Sequence, residues 1–216
     1  SDLGHVDVEL AAPLGAAFDG VHVVGSGAIE KAGYAGLSGL AEADYAWTFD
    51  ARMGGEGVVR IGRAEVDADG RRVTASGEVR AFERRGNLSV SAALPDVEAF
   101  AKLFGAEVAG ALDTQGELAF DAGEGTASLS LGGKLEGISG LPVFLAELAE
   151  DSVTFSAQLE AERGKAIRLT RGEVKTSRAM AEAEASYEMG SKRLDASYKA
   201  SVPKIGFLSS VVKKEM

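Results

Sequence analysis

Hydrophobic and polar residues alternate with a period of two along most of this chain. The clearest case surrounds Trp47, where Tyr45, Trp47 and Phe49 share one parity and Asp44 and Asp50 share the other. Strict alternation is typical of a β-strand with one apolar and one polar face. Similar segments follow one another, separated by turn signals that contain glycine. The pattern predicts an all-β protein of about twelve strands joined mainly by short turns, that is, a mainly antiparallel meander.

Two segments break the alternation and predict short helices. Residues 96–104 follow Pro95 and carry apolar residues at helical spacing, and residues 141–150 contain Pro142 near their start. A third helix is expected after Pro203. The alanine-rich segment Met180–Glu188 has high helix propensity, but its apolar residues recur at every second position, so a strand is predicted there.

The chain contains an internal repeat. Residues 59–66 (VRIGRAEV) return 108 residues later as residues 167–174 (IRLTRGEV), and residues 94–97 (LPDV) return at the same offset as residues 202–205 (VPKI). Residues 36–40 (GLSGL) return as residues 137–141 (GISGL), 101 residues later. We therefore predict one β unit over residues 1–216, with a repeat at roughly 36–104 and 137–212 that stacks on its own copy. The abrupt first and last residues suggest a piece of a longer repeat protein.

Nearly every predicted strand is apolar on one side only, so the sheet must hide that side. The apolar positions hold mainly Val, Leu, Ala and Gly, and such small residues leave space above a sheet. This favours a curved β-trough, or β-taco, with an apolar concave face and short helices, while a packed β-sandwich or prism is the alternative. The residues predicted to line the apolar groove are Tyr45, Trp47, Phe49, Ile61, Val73, Val79, Leu88, Val90, Leu112, Phe120, Leu129, Leu131, Val153, Phe155, Leu159, Leu169, Tyr187 and Tyr198.

Composition and charge narrow the choice of function. The formal net charge is −10 and there is no cysteine. Such an acidic chain is poorly suited to nucleic-acid phosphates or to an electrostatic hold on anionic lipid headgroups. The lack of cysteine excludes disulfides and thiolate metal sites. No uninterrupted apolar run approaches the ~18 residues that a membrane-spanning helix needs.

Candidate catalytic residues are sparse. His5 and His22 have no carboxylate at a spacing typical of metal ligands, and no phosphate-binding loop, dinucleotide fingerprint or nucleophile elbow is present. The acidic pairs Asp67/Asp69 and Glu182/Glu184 fall on the polar parity of strands and predict solvated surfaces. We therefore expect no catalytic residue, no metal site and no cofactor, and hence a protein that is not an enzyme.

Repeated arginines offer one further candidate site, a phosphate clamp. Arg60 and Arg63 return as Arg168 and Arg171. The two arginines of each copy differ in parity, which predicts that they do not share one face of the sheet. Cross-strand pairing with carboxylates such as Glu65 is the expected role.

The segment between two predicted strand sets resembles a known family. Residues 93–105 (ALPDVEAFAKLFG) place a proline-opened short helix after a strand, and residues 108–112 (VAGAL) open the next strand set. This pattern resembles the TamB branch of the AsmA-like family of Gram-negative bacteria. The resemblance implies a periplasmic β-trough protein, anchored in the inner membrane, that belongs to a translocation and assembly module. It also implies roles in phospholipid transport and outer-membrane protein assembly, beside a BamA-like outer-membrane partner (TamA) bound through segments outside this chain.

The expected function is that of a non-enzymatic conduit. Phospholipid acyl chains would be shielded in the apolar groove while crossing the periplasm between inner and outer membranes. A first alternative is a chaperone or scaffold for outer-membrane proteins that acts through pairing of strand edges. A second is a secreted adhesive or solenoid array. The aromatic residues Tyr45, Trp47 and Phe49 would either cap the apolar interior or line the path of the acyl chains.

Overall fold

A computed structural model describes residues 5–11, 20–32, 43–103 and 107–202. These residues form twelve β-strands and two short α-helices. The strands are β1 (His5–Ala11), β2 (Val21–Ala32), β3 (Ala43–Met53), β4 (Val58–Ala68), β5 (Arg71–Arg80), β6 (Arg85–Leu94), β7 (Ala109–Asp121), β8 (Thr126–Ser139), β9 (Ser152–Glu162), β10 (Ala166–Lys175), β11 (Met180–Glu188) and β12 (Arg193–Ser201).

All twelve strands form one sheet whose spatial order is the chain order, and every neighbouring pair is antiparallel. The prediction of an all-β antiparallel meander is therefore confirmed. Within the described residues the sheet is open, with β1 at one edge and β12 at the other. The alanine-rich segment Met180–Glu188 is strand β11.

Short turns with left-handed residues make the meander possible. Between β4 and β5, Asp69 (φ 52°) and Gly70 (φ 79°) are both left-handed, as a two-residue hairpin turn requires. Asp67 Oδ1 accepts a hydrogen bond from the Gly70 backbone N–H at 3.0 Å and fixes the turn. This acidic residue therefore has a structural role.

Both described helices lie in connections at the same end of the strands. Helix α1 (Glu98–Leu103) connects β6 to β7, and helix α2 (Val143–Ala149) connects β8 to β9. Asp96 Oδ1 accepts a hydrogen bond from the backbone N–H of Glu98 at 2.8 Å and caps the start of α1. The helix expected after Pro203 lies outside the described residues.

The meander gives the sheet two different rims. The helix rim carries α1, α2, the turn at residues 69–70 and the connection at residues 176–179. At the turn rim, the fully described connections are short hairpins, at residues 54–57, 81–84, 122–125, 163–165 and 189–192. At the first of these, a single 3₁₀ turn spans Gly55–Gly57. The two ends of the strands therefore differ, because only one of them carries the described helices.

The two copies of the repeat have the same local geometry. Ile61 in β4 and Leu169 in β10 both lie immediately before a β-bulge. In the first copy, Gly62 and Arg63 together are opposite a single residue of β5. In the second copy, Thr170 and Arg171 together are opposite a single residue of β11. A bulge increases the local twist of a sheet. One bulge therefore recurs every six strands.

The described chain builds almost no enclosed core. Its buried hydrophobic residues are all alanines, namely Ala51, Ala68, Ala149 and Ala166, and no large side chain among the described residues is fully buried. A packed sandwich would bury large side chains between two sheets. The described strands instead form one open sheet, so the described residues do not form such a sandwich.

Candidate functional site: an uncovered apolar sheet face

The strand register places most large apolar residues of the strands on one side of the sheet, with exceptions such as Val24, which is opposite Asp50. Residues directly opposite each other in neighbouring strands share a face, and one such row runs through Trp47, Val66, Val73 and Ala92. We call this side the apolar face and the other the polar face. The predicted groove residues all lie on the apolar face: Tyr45, Trp47 and Phe49 in β3, Ile61 in β4, Val73 and Val79 in β5, Leu88 and Val90 in β6, Leu112 and Phe120 in β7, Leu129 and Leu131 in β8, Val153, Phe155 and Leu159 in β9, Leu169 in β10, Tyr187 in β11 and Tyr198 in β12.

Much of this face is in contact with solvent. Val66 and Val73, which are opposite each other close to the turn between β4 and β5, are 46% and 48% exposed. Toward the β12 edge, Leu194 and Tyr198 reach 66% and 87%. Contiguous exposed apolar surface marks a site for a partner, a ligand or a membrane. The structure therefore presents a broad surface that is suited to an apolar ligand.

Aromatic rings on this face lie flat instead of standing upright. A Cβ added at Gly27 in β2 would meet the Trp47 ring at 2.5 Å, so the ring occupies the space that a side chain would fill. Phe155 in β9 covers Gly133 in β8 in the same way, with a closest approach of 2.7 Å. Flat rings leave the space above the sheet free. Sequence analysis missed these glycines, because their partners become known only with the strand register.

A small apolar pocket opens on the apolar face at the turn rim. It has a volume of about 330 Å³, and its apolar lining is formed by Phe120, Ala127, Ala161, Ile167 and Met189. Arg163 also borders the pocket, and the Arg163 backbone N–H donates to the Gly125 carbonyl at 2.7 Å. Arg163 thus borders the recess together with the acidic residues Asp121 and Glu162. Of these residues only Phe120 was predicted from the sequence.

The polar face is covered by ion pairs and hydroxyl groups. Arg72 Nε lies 3.3 Å from Asp67 and 3.6 Å from Glu65. Thr74 and Ser91 hydrogen-bond across two strands at 2.7 Å. A cavity of about 760 Å³ lies against this face and is lined largely by hydroxyl, amide and glycine residues of β5 to β9. This lining offers many hydrogen-bonding groups and also includes two large apolar residues, Val90 and Leu131.

The prediction that the repeated arginines lie on different faces is wrong. Arg60 is opposite Arg52 and Arg63 is opposite Asp50, so both lie on the polar face. The bulge is the reason, because Gly62 is an extra residue that absorbs the change of parity. Arg60 pairs with Glu78 at 3.5 Å and Arg63 pairs with Glu65. Pairing with carboxylates, the expected role, is what the geometry provides.

The remaining candidate residues are spread over β1, β2 and β11. His22 Nε2 lies 2.8 Å from Asp50 Oδ1 on the polar face, while His5 lies in β1. Glu182 is opposite Lys199, and Glu184 is opposite Ser197, both on the polar face. Among the described residues, no cluster of three or more His, Cys, Asp or Glu residues is arranged to hold a metal ion.

Helix α2 is tied to the connection between β10 and β11. Arg178 Nε lies 2.6 Å from Glu150 Oε1 and Arg178 also approaches Glu147 at 3.5 Å. The Ser177 hydroxyl donates to Glu150. The Ser177 hydrogen bond, followed by the charge of Arg178, lowers the pKa of the Glu150 carboxyl. These contacts hold the end of α2 against the connection between β10 and β11.

Comparisons with protein-family models, with characterised proteins and with solved structures find no match to this chain. Neither of the helices in the described part of the chain is long and apolar enough to cross a membrane. The chemistry of the two sheet faces is therefore the basis for a functional proposal.

Proposed function

We propose that the apolar face binds phospholipid acyl chains and that the protein is a non-enzymatic conduit for phospholipid. The observation that carries this proposal is the apolar face, which has large exposed side chains in β4, β5, β10, β11 and β12. Each CH₂ group buried against such a surface contributes about 0.8 kcal/mol. A chain of sixteen carbons therefore has enough apolar surface to bind without any specific polar contact.

The proposed form is a trough. A sheet that curls toward its apolar face would shield the acyl chains on both sides while the headgroups stay in water. Two features support this form: the bulges at Gly62 and Thr170, which increase twist, and the flat rings of Trp47 and Phe155, which leave space for a ligand. All of the predicted groove residues would then face the cargo.

The cellular setting follows from the resemblance to the TamB branch of the AsmA-like family. In this proposal the protein acts in the periplasm, as part of a chain anchored in the inner membrane, and moves phospholipid between the inner and outer membranes. A BamA-like outer-membrane partner would bind segments outside residues 1–216. The acidic character of the chain, with a formal net charge of −10, disfavours nucleic acid as a partner.

Trp47 provides a direct test, because it is the only tryptophan of the chain and lies on the apolar face. The protein is incubated with vesicles of phosphatidylcholine whose acyl chains carry bromine, and the vesicles are then removed by sedimentation. We expect lipid phosphorus to remain with the soluble protein and Trp47 emission to be quenched, because bromine quenches indole on contact. Non-brominated lipid should bind without quenching.

Two neighbouring residues supply matched variants. Leu131 lies on the apolar face, and Ser130, next to it in β8, is exposed on the polar face. Leu131→Asp places a carboxylate in the proposed path of the acyl chains, where it would lose water without gaining a partner. Ser130→Asp adds the same charge to the opposite face. We expect only Leu131→Asp to abolish lipid retention; equal retention by two folded variants would exclude the conduit.

The second candidate function is a scaffold for outer-membrane proteins that acts by pairing strand edges. It is favoured by one observation, the exposure of every residue of the edge strand β12. A scaffold of this kind would bind an unfolded outer-membrane protein in both the Leu131→Asp and the Ser130→Asp variants. Lipid retention and strand capture therefore separate the two functions.

A further inference from the structure

A neutral zone lies in the middle of the polar face. One row of directly opposite residues crosses the five strands β5 to β9 without a charge, and its members are Thr74, Ser91, Gln115, Gly132 and Ser156. The next row toward the helix rim is charged, since it contains Arg72, Asp113 and Lys134. Charged side chains would keep the central row soluble equally well, so its neutrality favours a specific ligand.

The cavity of about 760 Å³ on the polar face lies over this zone. Glu117 is the single charged residue of its lining, and Glu117 Oε1 already accepts a hydrogen bond from the Ser89 hydroxyl at 2.7 Å. Other polar side chains of the lining have no hydrogen-bond partner among the described residues, and these are Ser76, Gln115 and Ser156. The cavity therefore offers free donors and acceptors to a ligand.

Gly132 is the member of the central row that has no side chain. An added Cβ there would come no closer than 3.5 Å to the Phe155 carbonyl oxygen, so the space above this glycine is open. Gly132 lies in a regular part of β8, and its φ is not left-handed. At the neighbouring Gly133, by contrast, the Phe155 ring fills the space. A strand glycine that neither packing nor backbone conformation requires is typical of a site that a ligand approaches closely.

The chemistry of the lining indicates the class of ligand. A hydroxyl group both donates and accepts hydrogen bonds, and so does the Gln115 amide. A ligand rich in hydroxyl groups matches such a lining, whereas an anion would meet the Glu117 carboxylate and no cation of the lining. The central row repeats at the strand spacing of about 4.8 Å and extends over about 19 Å from Thr74 to Ser156. These dimensions suit an extended chain with hydroxyl groups at regular intervals.

We propose that the polar-face cavity binds an uncharged, extended oligosaccharide that lies along the central row and contacts the backbone at Gly132. Gln115 and Ser156 are directly opposite this glycine on its two sides, and they exchange hydrogen bonds with the sugar hydroxyls. The lining includes no aromatic ring on which a sugar could stack, so binding depends on hydrogen bonds, each of which contributes little against water. A dissociation constant on the order of 1 mM is expected. The site lies on the face opposite the proposed lipid path and does not depend on it.

Titration with cellotetraose, an uncharged and extended glucose tetramer, tests this proposal by NMR. We expect the backbone amide signals of β7 to β9 around Gly132, and the side-chain amide signal of Gln115, to shift with one common dissociation constant. Gln115→Leu keeps the size of the side chain and removes its amide. It should weaken binding about fivefold, which corresponds to the loss of one hydrogen bond.

Gly132→Val tests the floor of the cavity. The fold leaves room for the added side chain, but its methyl groups would occupy the space of the ligand, so binding should weaken about tenfold or more. Ala93→Val is the matched control, because it adds a valine at an exposed polar-face position of β6 outside the cavity lining, and it should bind as the natural chain does. Circular dichroism verifies that the variants are folded. A natural chain without saturable shifts at several times the expected dissociation constant, or equal binding by Gly132→Val and Ala93→Val, would overturn the proposal.

Discussion

Trp47 in β3 and Phe155 in β9 hold the same position in the two copies of the repeat, and each ring lies flat on a glycine of the preceding strand. The glycines are Gly27 and Gly133, which are directly opposite the two aromatic residues. Because glycine has no side chain, the large ring can lie against the backbone and does not project far above the apolar face. A packed sandwich would instead place upright rings between two sheets.

The first prediction concerns this ring position. Gly27→Val should force the Trp47 ring away from the sheet, because an added Cβ would approach ring atoms at 2.5 to 2.8 Å. Such overpacking costs about 1–3 kcal/mol of the free energy of unfolding. Denaturant unfolding followed by Trp47 emission measures both effects, since exposure of the indole to water should shift the emission of the folded state.

Gly132→Val is the matched control for that experiment. Gly132 lies in β8 on the polar face, and an added Cβ would come no closer than 3.5 Å to the Phe155 carbonyl oxygen. Its stability should change by no more than about 0.5 kcal/mol. Unchanged emission and stability in Gly27→Val would show that Trp47 does not depend on the glycine.

The second prediction concerns the bulge after Ile61. Deletion of Gly62 turns the bulge into a regular strand and keeps Ile61 and Ala64 on the apolar face, because the bulge holds one extra residue. Deletion of Thr74 from the regular strand β5 instead moves either Val73 or Ala75 to the polar face. We expect the first variant to stay soluble and unfold cooperatively, and the second to aggregate.

Circular dichroism and size-exclusion chromatography distinguish these outcomes. The experiment also tests the meaning of the repeat, because deletion of Thr170 in β10 should resemble deletion of Gly62. If deletion of Gly62 is as damaging as deletion of Thr74, the bulge does not set the register of β4.

The bulge also shows where sequence reasoning about this chain stops. The internal repeat identified the strand that contains Ile61, and alternation identified the face of most predicted groove residues, because a period of two follows directly from strand geometry. It placed Arg60 and Arg63 on opposite faces, because parity was counted through Gly62 as though the strand were regular. A glycine at a break in alternation was the available signal.

Contacts between strands could not be predicted from the sequence for a different reason. The stacking of Trp47 on Gly27 and the position of Arg163 beside Phe120 depend on the register between strands. In a meander that register depends on turn geometry and bulges as well as on the pattern of each strand. The sequence therefore predicted which residues share the apolar face and could not predict which of them are in contact.

The third prediction concerns pH. Asp121 Oδ1 accepts the backbone N–H of Glu124 at 2.9 Å, and Arg85 Nε donates to Oδ2 at 2.6 Å. The backbone hydrogen bond first, and Arg85 second, lower the pKa of the Asp121 carboxyl. Because the pKa in the folded state is lowered, the stabilisation is complete above the pKa of the unfolded chain. It is lost as the pH falls through the lower folded value.

Asp121→Asn should therefore reduce the free energy of unfolding at pH 7, and the difference from the natural chain should vanish in strong acid. Asp113→Asn, at an exposed site in the same strand, is the control and should have little effect at any pH. Denaturant unfolding at a series of pH values makes the comparison. A difference that persists when Asp121 is protonated would mean that the hydrogen bonds do not depend on its charge.

The last prediction places the phospholipid headgroup, if the proposed function holds. Arg163 borders the apolar pocket formed by Phe120, Ala127 and Ile167 at the turn rim, so an acyl chain in this pocket would bring its phosphate close to the guanidinium. A basic residue near an anionic headgroup contributes about 1 kcal/mol, or about fivefold in binding. Arg163→Gln should lower the retention of phosphatidylglycerol by that factor.

Arg171→Gln is the control. It removes a cation that pairs with Glu173 at 3.3 Å on the polar face, and it should leave retention unchanged. Lipid phosphorus in the soluble fraction after vesicle removal measures both. Equal losses in the two variants would mean that only the overall charge matters, and no loss in Arg163→Gln would place the headgroup elsewhere on the rim.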